Sequence, residues 1–496
     1  MIGMTPVGRL TQWCRPIGLW GVLIVAGPPP SPCAADWPMW RCDANRTASS
    51  PEDLPGALSP LWAREYPPRT PAWEDPLNQD LMPFDALLEP VVLGDRMFVP
   101  LNDRDKLVAL DIRTGRELWT FYADAPVRLA PAAWRDRVYF ASDDACLYCL
   151  RAEDGRLEWK FRAAPSDRKV LGNGRLISAW PARGGPVIRD GIVYFAASIW
   201  PFMGTFIHAL DAATGKVIWT NDGTGADFIK QPHNAPAFAG VAPQGALVAT
   251  EKYLLVPGGR SIPAAFDRES GRLLYFRIAE SGKGTGGSTV MADERFFFVH
   301  TRGRGTRAHD LPTGTKTTFA IEEPVLAQGH YYCGADHPSQ RGPLSDAESK
   351  LEAARYGELK ARGVLDDARD SGDEVAVKRA TAALAAAAKK VSLAEEVVAR
   401  ARQGLSHDQL RQVVQAWNPG QSLQWEIAAD ASGDLIRAGS RLYAGGNGTI
   451  SAISVPKPGD RPSVAWSLPI NGHVGRLLAA RGMLFAITRE GRMTAF

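Results

Sequence analysis

Two stretches of the chain, ALDIRTGRELWTF at 109–121 and ALDAATGKVIWT at 209–220, share an Ala, an Asp, a Thr-Gly and a Trp at identical spacing. Each closes a longer unit. A Val/Ile-rich strand leads through a short turn to a strand ending in VYF or similar. A strand ending in Ala-x-Asp follows, then a Thr-Gly turn and a strand carrying Trp. Units start at Pro90, Pro131 and Pro186, and fainter copies run through AAFDRESGRLLYF (264–276), RAHDLPTGTKTTF (307–319) and QAWNPGQSLQWEI (415–427). The last copies are RLYAGGNGTISAISV, with a later Trp466, and MLFAITREGRMTAF at the end. A unit of four short strands repeated at about 40 residues cannot bury its apolar faces alone, so it must stack on its neighbours.

The motif has a physical reading that needs no ligand. Gly115, Gly215 and Gly271 supply the positive φ of a tight turn. Asp111, Asp211 and Asp267 are placed to accept that turn's amides. Ala109 and Ala209 leave room for a large neighbour, and the indoles of Trp119, Trp159, Trp219, Trp425 and Trp466 each bring roughly 200 Å2 to bury between sheets. In the weaker copies Tyr275 and Thr318 stand where Trp would be. The final copy lacks its fourth strand, and LSPLWAREY near the start, with Trp62, is a strand without a unit. Pairing the two closes a ring and removes a bare sheet edge. The expectation is an all-β, eight-bladed β-propeller of four-stranded blades over 58–496, its last blade completed by the N-terminal strand. Two worn copies leave seven blades as the alternative.

A-x-D-x-x-T-G-x-x-x-W, at Ala109 to Trp119 and Ala209 to Trp219, resembles the tryptophan-docking motif of quinoprotein-like (PQQ-like) propellers. The resemblance covers roughly Leu58 to Phe496 apart from one insertion, and the W-P-x-W-R segment at Trp37 to Arg41 accords with it. That family includes PQQ-dependent alcohol dehydrogenases and a non-catalytic propeller lipoprotein of outer-membrane barrel assembly. The resemblance therefore implies the fold and leaves enzyme and scaffold both open.

The first 35 residues read differently. Arg9 and Arg15 precede the apolar run IGLWGVLIVA, and a Pro-rich stretch ends in CAAD. This is the layout of a secretory signal cut after Ala35, with too short an apolar core to span a bilayer. Residues 36–57 form an N-terminal extension, and the expected location is the periplasm or cell envelope, with no transmembrane segment after cleavage. A net charge of +3 does not point to nucleic acid.

Blade topology sends the b–c loops and the blade-to-blade connections to one end and the short a–b and c–d turns to the other. The long segments 162–185, 199–204, 221–245 and 300–309 fall at the first end. Loops there carry eleven basic residues against four acidic ones. Arg168, Lys169, Asn173, Arg175, Trp180, Arg183, Trp200, His233, Asn234, Arg260, Arg302 and Arg304 are the expected ligand- or partner-binding residues, on a face suited to an anionic ligand or acidic protein.

Residues 345–404, inside the sixth unit, are Ala-rich, lack Pro and carry balanced charge. Ala347, Leu351, Ala354, Ala361, Leu365 and Ala368 make one helical seam. Leu384, Ala387, Val391, Ala394, Val398 and Ala401 make another, across DSGD at 370–373. An antiparallel helical hairpin is expected there, a coiled-coil arm available for docking.

No catalytic constellation emerges. PQQ dehydrogenases show an adjacent Cys-Cys pair with acidic and Asn ligands for calcium, and no Cys-Cys pair exists here. Cys146-x-x-Cys149 lies on a strand, which points its sulfurs to opposite faces, and the same alternation separates His330 from Cys333. Asp143-Asp144 and Glu322-Glu323 read as turn and surface residues. The sequence thus reads as an exported, non-catalytic binding or scaffolding propeller, with no cofactor or metal expected. The alternative is a quinoprotein dehydrogenase-like oxidoreductase holding PQQ and calcium in the basic funnel.

Overall fold

The computed structural model describes residues 35–67, 69, 85–172, 174–230, 235–258, 261–277, 285–301, 305–327, 329–336, 343–405 and 412–496. All of the leader expected over residues 1–35 except Ala35 lies outside them, as do Asn173, His233, Asn234, Arg260, Arg302 and Arg304.

The described chain is dominated by antiparallel sheets whose strands follow sequence order. Sheet A comprises Val91–Leu93, Arg96–Leu101, Lys106–Asp111 and Glu117–Tyr122. Sheet B runs from Ala132–Trp134 to Leu157–Arg162, and sheet C from Gly184–Arg189 to Val217–Asn221. Sheets D, E and F begin at Val248–Ala249, Thr285–Ala292 and Val325–Ala327. A further sheet has eight strands, in which Ser463–Ala480 serves two four-strand sets. Its first part pairs with Asn447–Ser454 in set G, and its second with Met483–Thr488 in set H. Set H ends with Arg492–Ala495 and Trp62–Glu65, joined by the pairs Trp62–Ala495 to Glu65–Arg492.

The second and third strands of these sets are buried on both faces, whereas the fourth strands are half exposed. Burial on both faces means sheet packs on sheet. Phe98 and Leu107 of A share a core with Val138 and Phe140 of B. Val248 and Leu255 of D meet Val290 and Phe297 of E, and Phe298 of E meets Tyr331 of F. One cluster joins Tyr332 of F, Tyr443 of G, Phe485 of H and Met97 of A, so the last set packs on the first.

A strap over residues 35–52 makes a circuit of all these sets. Trp37 exchanges two main-chain bonds with Val92 of A, and the Pro38 carbonyl accepts from Ala133 of B. The Ile188 amide of C donates to Met39 Sδ at 3.4 Å. Ala44, Asn45, Thr47 and Ala48 carbonyls then accept from Ala249 of D, Ala292 of E, Leu326 of F and Arg437 of G in turn. The circuit ends where Arg481, after the long strand of H, donates to the Ala35 carbonyl at 2.9 Å. Arg46, fully buried, gives its guanidinium to the carbonyls of Leu247, Pro186, Trp40 and Asp43. Positive φ at Arg41, Cys42, Arg46 and Ala48 winds the segment tightly, a cost of about 1 kcal/mol or more each that these bonds offset. The main-chain contacts fall in the middle or later half of each first strand, toward the end opposite the long loops, while the Arg41 side chain reaches the Glu323 and Pro324 carbonyls just before the first strand of F.

Two helices, α1 (Pro343–Ser371) and α2 (Glu374–Gln403), stand between the second and third strands of F. They pack on each other through Leu344, Ala347 and Val398 near the base and Leu365, Ala368 and Ala380 near the turn. Asp373 caps α2 by accepting from Val375 and Ala376 amides.

Candidate functional site

Chain direction places three long segments of B, C and D at the loop-rich end. A hairpin, Lys169–Gly172 with Arg175–Ser178, rises between B and C. A short turn at Pro201–Met203 joins the second and third strands of C, and a second hairpin, Phe228–Lys230 with Pro236–Phe238, rises between C and D. They are tied together at their bases: Trp180 Nε1 donates to Met203 O at 2.8 Å, and Thr205 Oγ1 to Val241 O at 2.6 Å.

Beneath the first hairpin lies a buried ion network. Arg128 donates to Asp143 Oδ2 at 2.6 Å and to Asp85 Oδ2 at 2.7 Å. Arg183 makes a two-point contact with Asp143, at 3.0 and 2.9 Å, and Asn102 donates to Asp85. Burial by itself would raise the Asp143 carboxyl, but Arg183 and Arg128 hold it below the usual range. Asp85 faces mainly Arg128, and there burial wins and the carboxyl is raised. Asp143, read from the sequence as a surface turn residue, is instead 1% exposed and is the hinge of this network.

The structure divides the sequence-expected site residues. Arg183 is committed to Asp143, and Arg175 is paired with Asp105. Trp180 is half buried, held by Met203. Arg168, Lys169 and Trp200 are exposed. Sequence reasoning counted charge, and so it missed what these loops share. Leu171, Leu176, Trp200, Phe202, Phe228 and Phe238 project from the three segments, between 50% and 80% exposed. Trp200 lies 6.1 Å from Phe202 and Phe228 5.1 Å from Phe238, centroid to centroid. Six large apolar side chains are therefore exposed on these three segments. A small cavity of about 160 Å3 opens beside the first hairpin, among Asp124, Lys160, Arg162 and Lys169.

Strap residues also meet a charged cluster at the starts of first strands. Arg476 makes a two-point pair with Glu89, at 2.8 and 2.7 Å, and approaches Asp434 at 3.4 Å. The guanidinium carbons of Arg476 and Arg41 lie 5.7 and 6.0 Å from the Trp40 ring centroid. Asp434 is further held by the Leu477 amide at 2.8 Å.

Around the rim, the repeated motif makes one contact several times. The indole nitrogens of Trp62, Trp119, Trp159 and Trp219 donate to the carbonyls of Ile112, Ala152, Ala212 and Arg268, each in the following sheet. Each ring lies over that sheet's turn glycine: Gly115, Gly155, Gly215 and Gly271 have φ of 68–72°, and a Cβ there would meet the indole at 2.4–2.8 Å. Tyr275 does the same with its hydroxyl to Leu311 O and its ring on Gly314. Asp111, Asp211, Asp267 and Asp310 accept from the turn Thr or Ser amide and hydroxyl. Ala109 and Ala209 face Trp119 and Trp219 across the same sheet, so the partner in the next sheet is glycine, not alanine. Trp425 and Trp466 rest on Tyr332 and Tyr443 of their own sets; a Cβ on Gly459, in the turn between the third and fourth strands of G, meets nothing within 4 Å, and set H, closed by Trp62–Glu65, has no such turn.

Cys146 and Cys149 join different cores on opposite faces of sheet B, and burial pushes both thiols up to about 12. Such thiols are inert packing groups at neutral pH. Among the described residues no three His, Cys, Asp or Glu side chains are grouped to hold a metal ion, and no helix is long and apolar enough to cross a membrane.

Comparison with known proteins agrees with this architecture. The family model described as outer membrane protein assembly factor BamB matches residues 59–198, 135–348 and 203–496. Tetrathionate hydrolase of Acidithiobacillus ferrooxidans is 25% identical over 268 residues, 48% of this chain and 49% of that one. The dehydrogenase subunit of the quinone alcohol dehydrogenase of Gluconobacter oxydans is 30% identical over 26% of this chain and 18% of its own length. BamB of Moranella endobia is 30% identical over 28% of this chain and 33% of its own length. The chain thus spans half or less of these relatives. Quinohemoprotein alcohol dehydrogenase from Comamonas testosteroni shares the fold with a TM-score of 0.55 at 13% identity, covering 93% of this chain and 80% of that one. With the repeats, the sheets and the family match all spanning the chain from residue 59 to its end, this protein is a β-propeller of PQQ-like repeats and belongs to the BamB outer membrane protein assembly factor family.

Proposed function

We propose that the protein is an exported, non-catalytic scaffold, a closed eight-bladed propeller that docks another protein on its loop-rich end. The eight-blade count is supported by the strap, which touches sets A to H in sequence order, as inner strands converging on one axis require. The tryptophan and tyrosine contacts between successive sheets act as the clasps of that ring. The observation that carries the docking reading is the exposed apolar crown of Leu171, Leu176, Trp200, Phe202, Phe228 and Phe238, rimmed by the exposed Arg168, Lys169 and Lys230. An apolar centre with a basic rim fits a protein partner with an acidic border. The helical hairpin offers a second arm for contact.

Family relatives include quinone alcohol dehydrogenases, so PQQ with calcium is the competing occupant. The described axial residues do not fit that pair. Glu89 and Asp434, the axial carboxylates, already receive Arg476 and the Leu477 amide. Two measurements separate the readings. Purified protein titrated with PQQ and calcium shows neither stoichiometric binding nor dye-linked alcohol oxidation if it is a scaffold, and turnover sinks the proposal. Replacing Leu171, Phe202 and Phe228 together by Ser leaves the folded ring intact and removes partners that co-purify from the cell envelope. An unchanged partner set means the crown is not the docking face.

A further inference from the structure

The strap begins and ends at one carboxylate. Glu52 is 6% exposed, its Oε2 accepts the Ala35 amide at 3.2 Å, and the amides of Arg481 and Gly482 also point at it. The Ala35 carbonyl in turn accepts from the Arg481 amide at 2.9 Å. Trp37, two residues on, is already bonded to sheet A, and Arg481 belongs to set H. Glu52 therefore sits where the circuit closes, and burial raises its carboxyl despite the amides around it. More positive charge at this point would stabilise the buried anion.

We propose that the chain is processed on the N-terminal side of Ala35, and that the α-ammonium group freed there pairs with Glu52 and locks the strap. Hydrolysis adds water across the peptide bond between Ala34 and Ala35, leaving a carboxylate on the leader and an amine on the mature chain. That amine is protonated below its ordinary pKa near 8. The uncut chain presents a neutral amide at the same position. A cut after Ala35, as the leader pattern alone suggests, would discard both Ala35 bonds. A cut before it keeps both and converts one into an ion pair. Ala34 meets the small-residue requirement next to the bond, while the second small-residue position of the pattern is held by Pro32, so the geometry at Glu52 and not the leader pattern carries this choice of bond. This inference rests on the export reading, and the tests keep the two apart.

The first test is the intact mass of the protein recovered from the cell envelope. It should correspond to a chain beginning at Ala35. A different first residue in an exported protein overturns the latch and leaves export standing, whereas an uncut cytoplasmic chain overturns both. The second compares a chain starting at Ala35, released from a cleavable fusion, with one carrying two extra residues before it. The free-amine chain should melt about 1–3 °C higher at pH 6–7. The sign follows from linkage: pairing raises the ammonium's pKa in the folded state, so the gain is full below pH 8 and fades as pH rises through the raised value. Glu52→Gln should erase the difference while both chains still fold. Equal melting points at pH 6–7, or a difference that survives Glu52→Gln, would falsify the pairing.

Discussion

At the scale of single residues, the turn glycines separate backbone strain from packing. Gly174 and Gly215 both have φ near 70°, but a Cβ on Gly174 meets nothing within 4 Å, while one on Gly215 meets the Trp159 ring at 2.8 Å. Gly174→Ala should therefore cost about 1 kcal/mol, the left-handed penalty by itself. Gly215→Ala adds displacement of a seated indole and should cost about 3 kcal/mol or more in urea denaturation. His208 gives a second prediction. It is buried between Phe161 and Phe195, with its ring nitrogens on Thr220 Oγ1 and Ala163 O, and burial pushes its pKa down to about 4. The unfolded chain binds that proton near pH 6.5, so stability falls as pH drops from 6.5 towards 4, by on the order of 3 kcal/mol. His208→Gln should flatten that part of the stability–pH curve. A curve as steep as that of the unsubstituted protein would show that other groups carry the slope.

At the scale of elements, the helical hairpin is an addition and not a support. Its core clusters contain only residues between Leu344 and Leu405, and the strands on either side already meet, Asp336 opposite Gln412 with a side-chain bond at 2.6 Å. Replacing residues 337–411 by a four-residue turn should leave the melting temperature within a few degrees, as expected for an insertion at a hairpin. A collapse in stability would mean that the arm braces the ring. Elements also differ in how plainly the sequence announces them. The hairpin is legible because Ala347, Leu351, Leu365 and Val398 repeat with helical spacing. The clasps are legible because Asp, Gly and Trp recur at fixed offsets, so that even Tyr275 is found by position. The strap is not, since it bonds through main-chain carbonyls and left-handed residues such as Arg41 and Ala48, which leave no periodic trace. The Asp143 network also escapes. An Asp after a strand reads as a turn, and only tertiary packing brings Arg128 and Arg183 to it. The crown lies in loops of irregular spacing, where Leu171 and Phe228 carry no more signal than any surface apolar residue.

At the scale of the whole molecule, the strap and the strand Trp62–Glu65 tie the start of the chain to every sheet and to its last four paired residues. A chain beginning at residue 58 keeps the closing strand but loses the circuit. It should melt well below the chain beginning at residue 35 and be cut by protease at the first-strand ends of several sheets. Equal protease resistance would show that sheet-on-sheet packing alone holds the ring. The closing pairs also order events in time. Trp62 cannot find Ala495 until every set between them has been made, and loop closure over so long a span is slow. Until then the half-built array presents two bare sheet edges, the form most exposed to wrong pairing. A ring closed in this way is complete only after the strands of set H have been delivered. Its most vulnerable moment is therefore the interval between the arrival of set H and the return of Trp62–Glu65 to it.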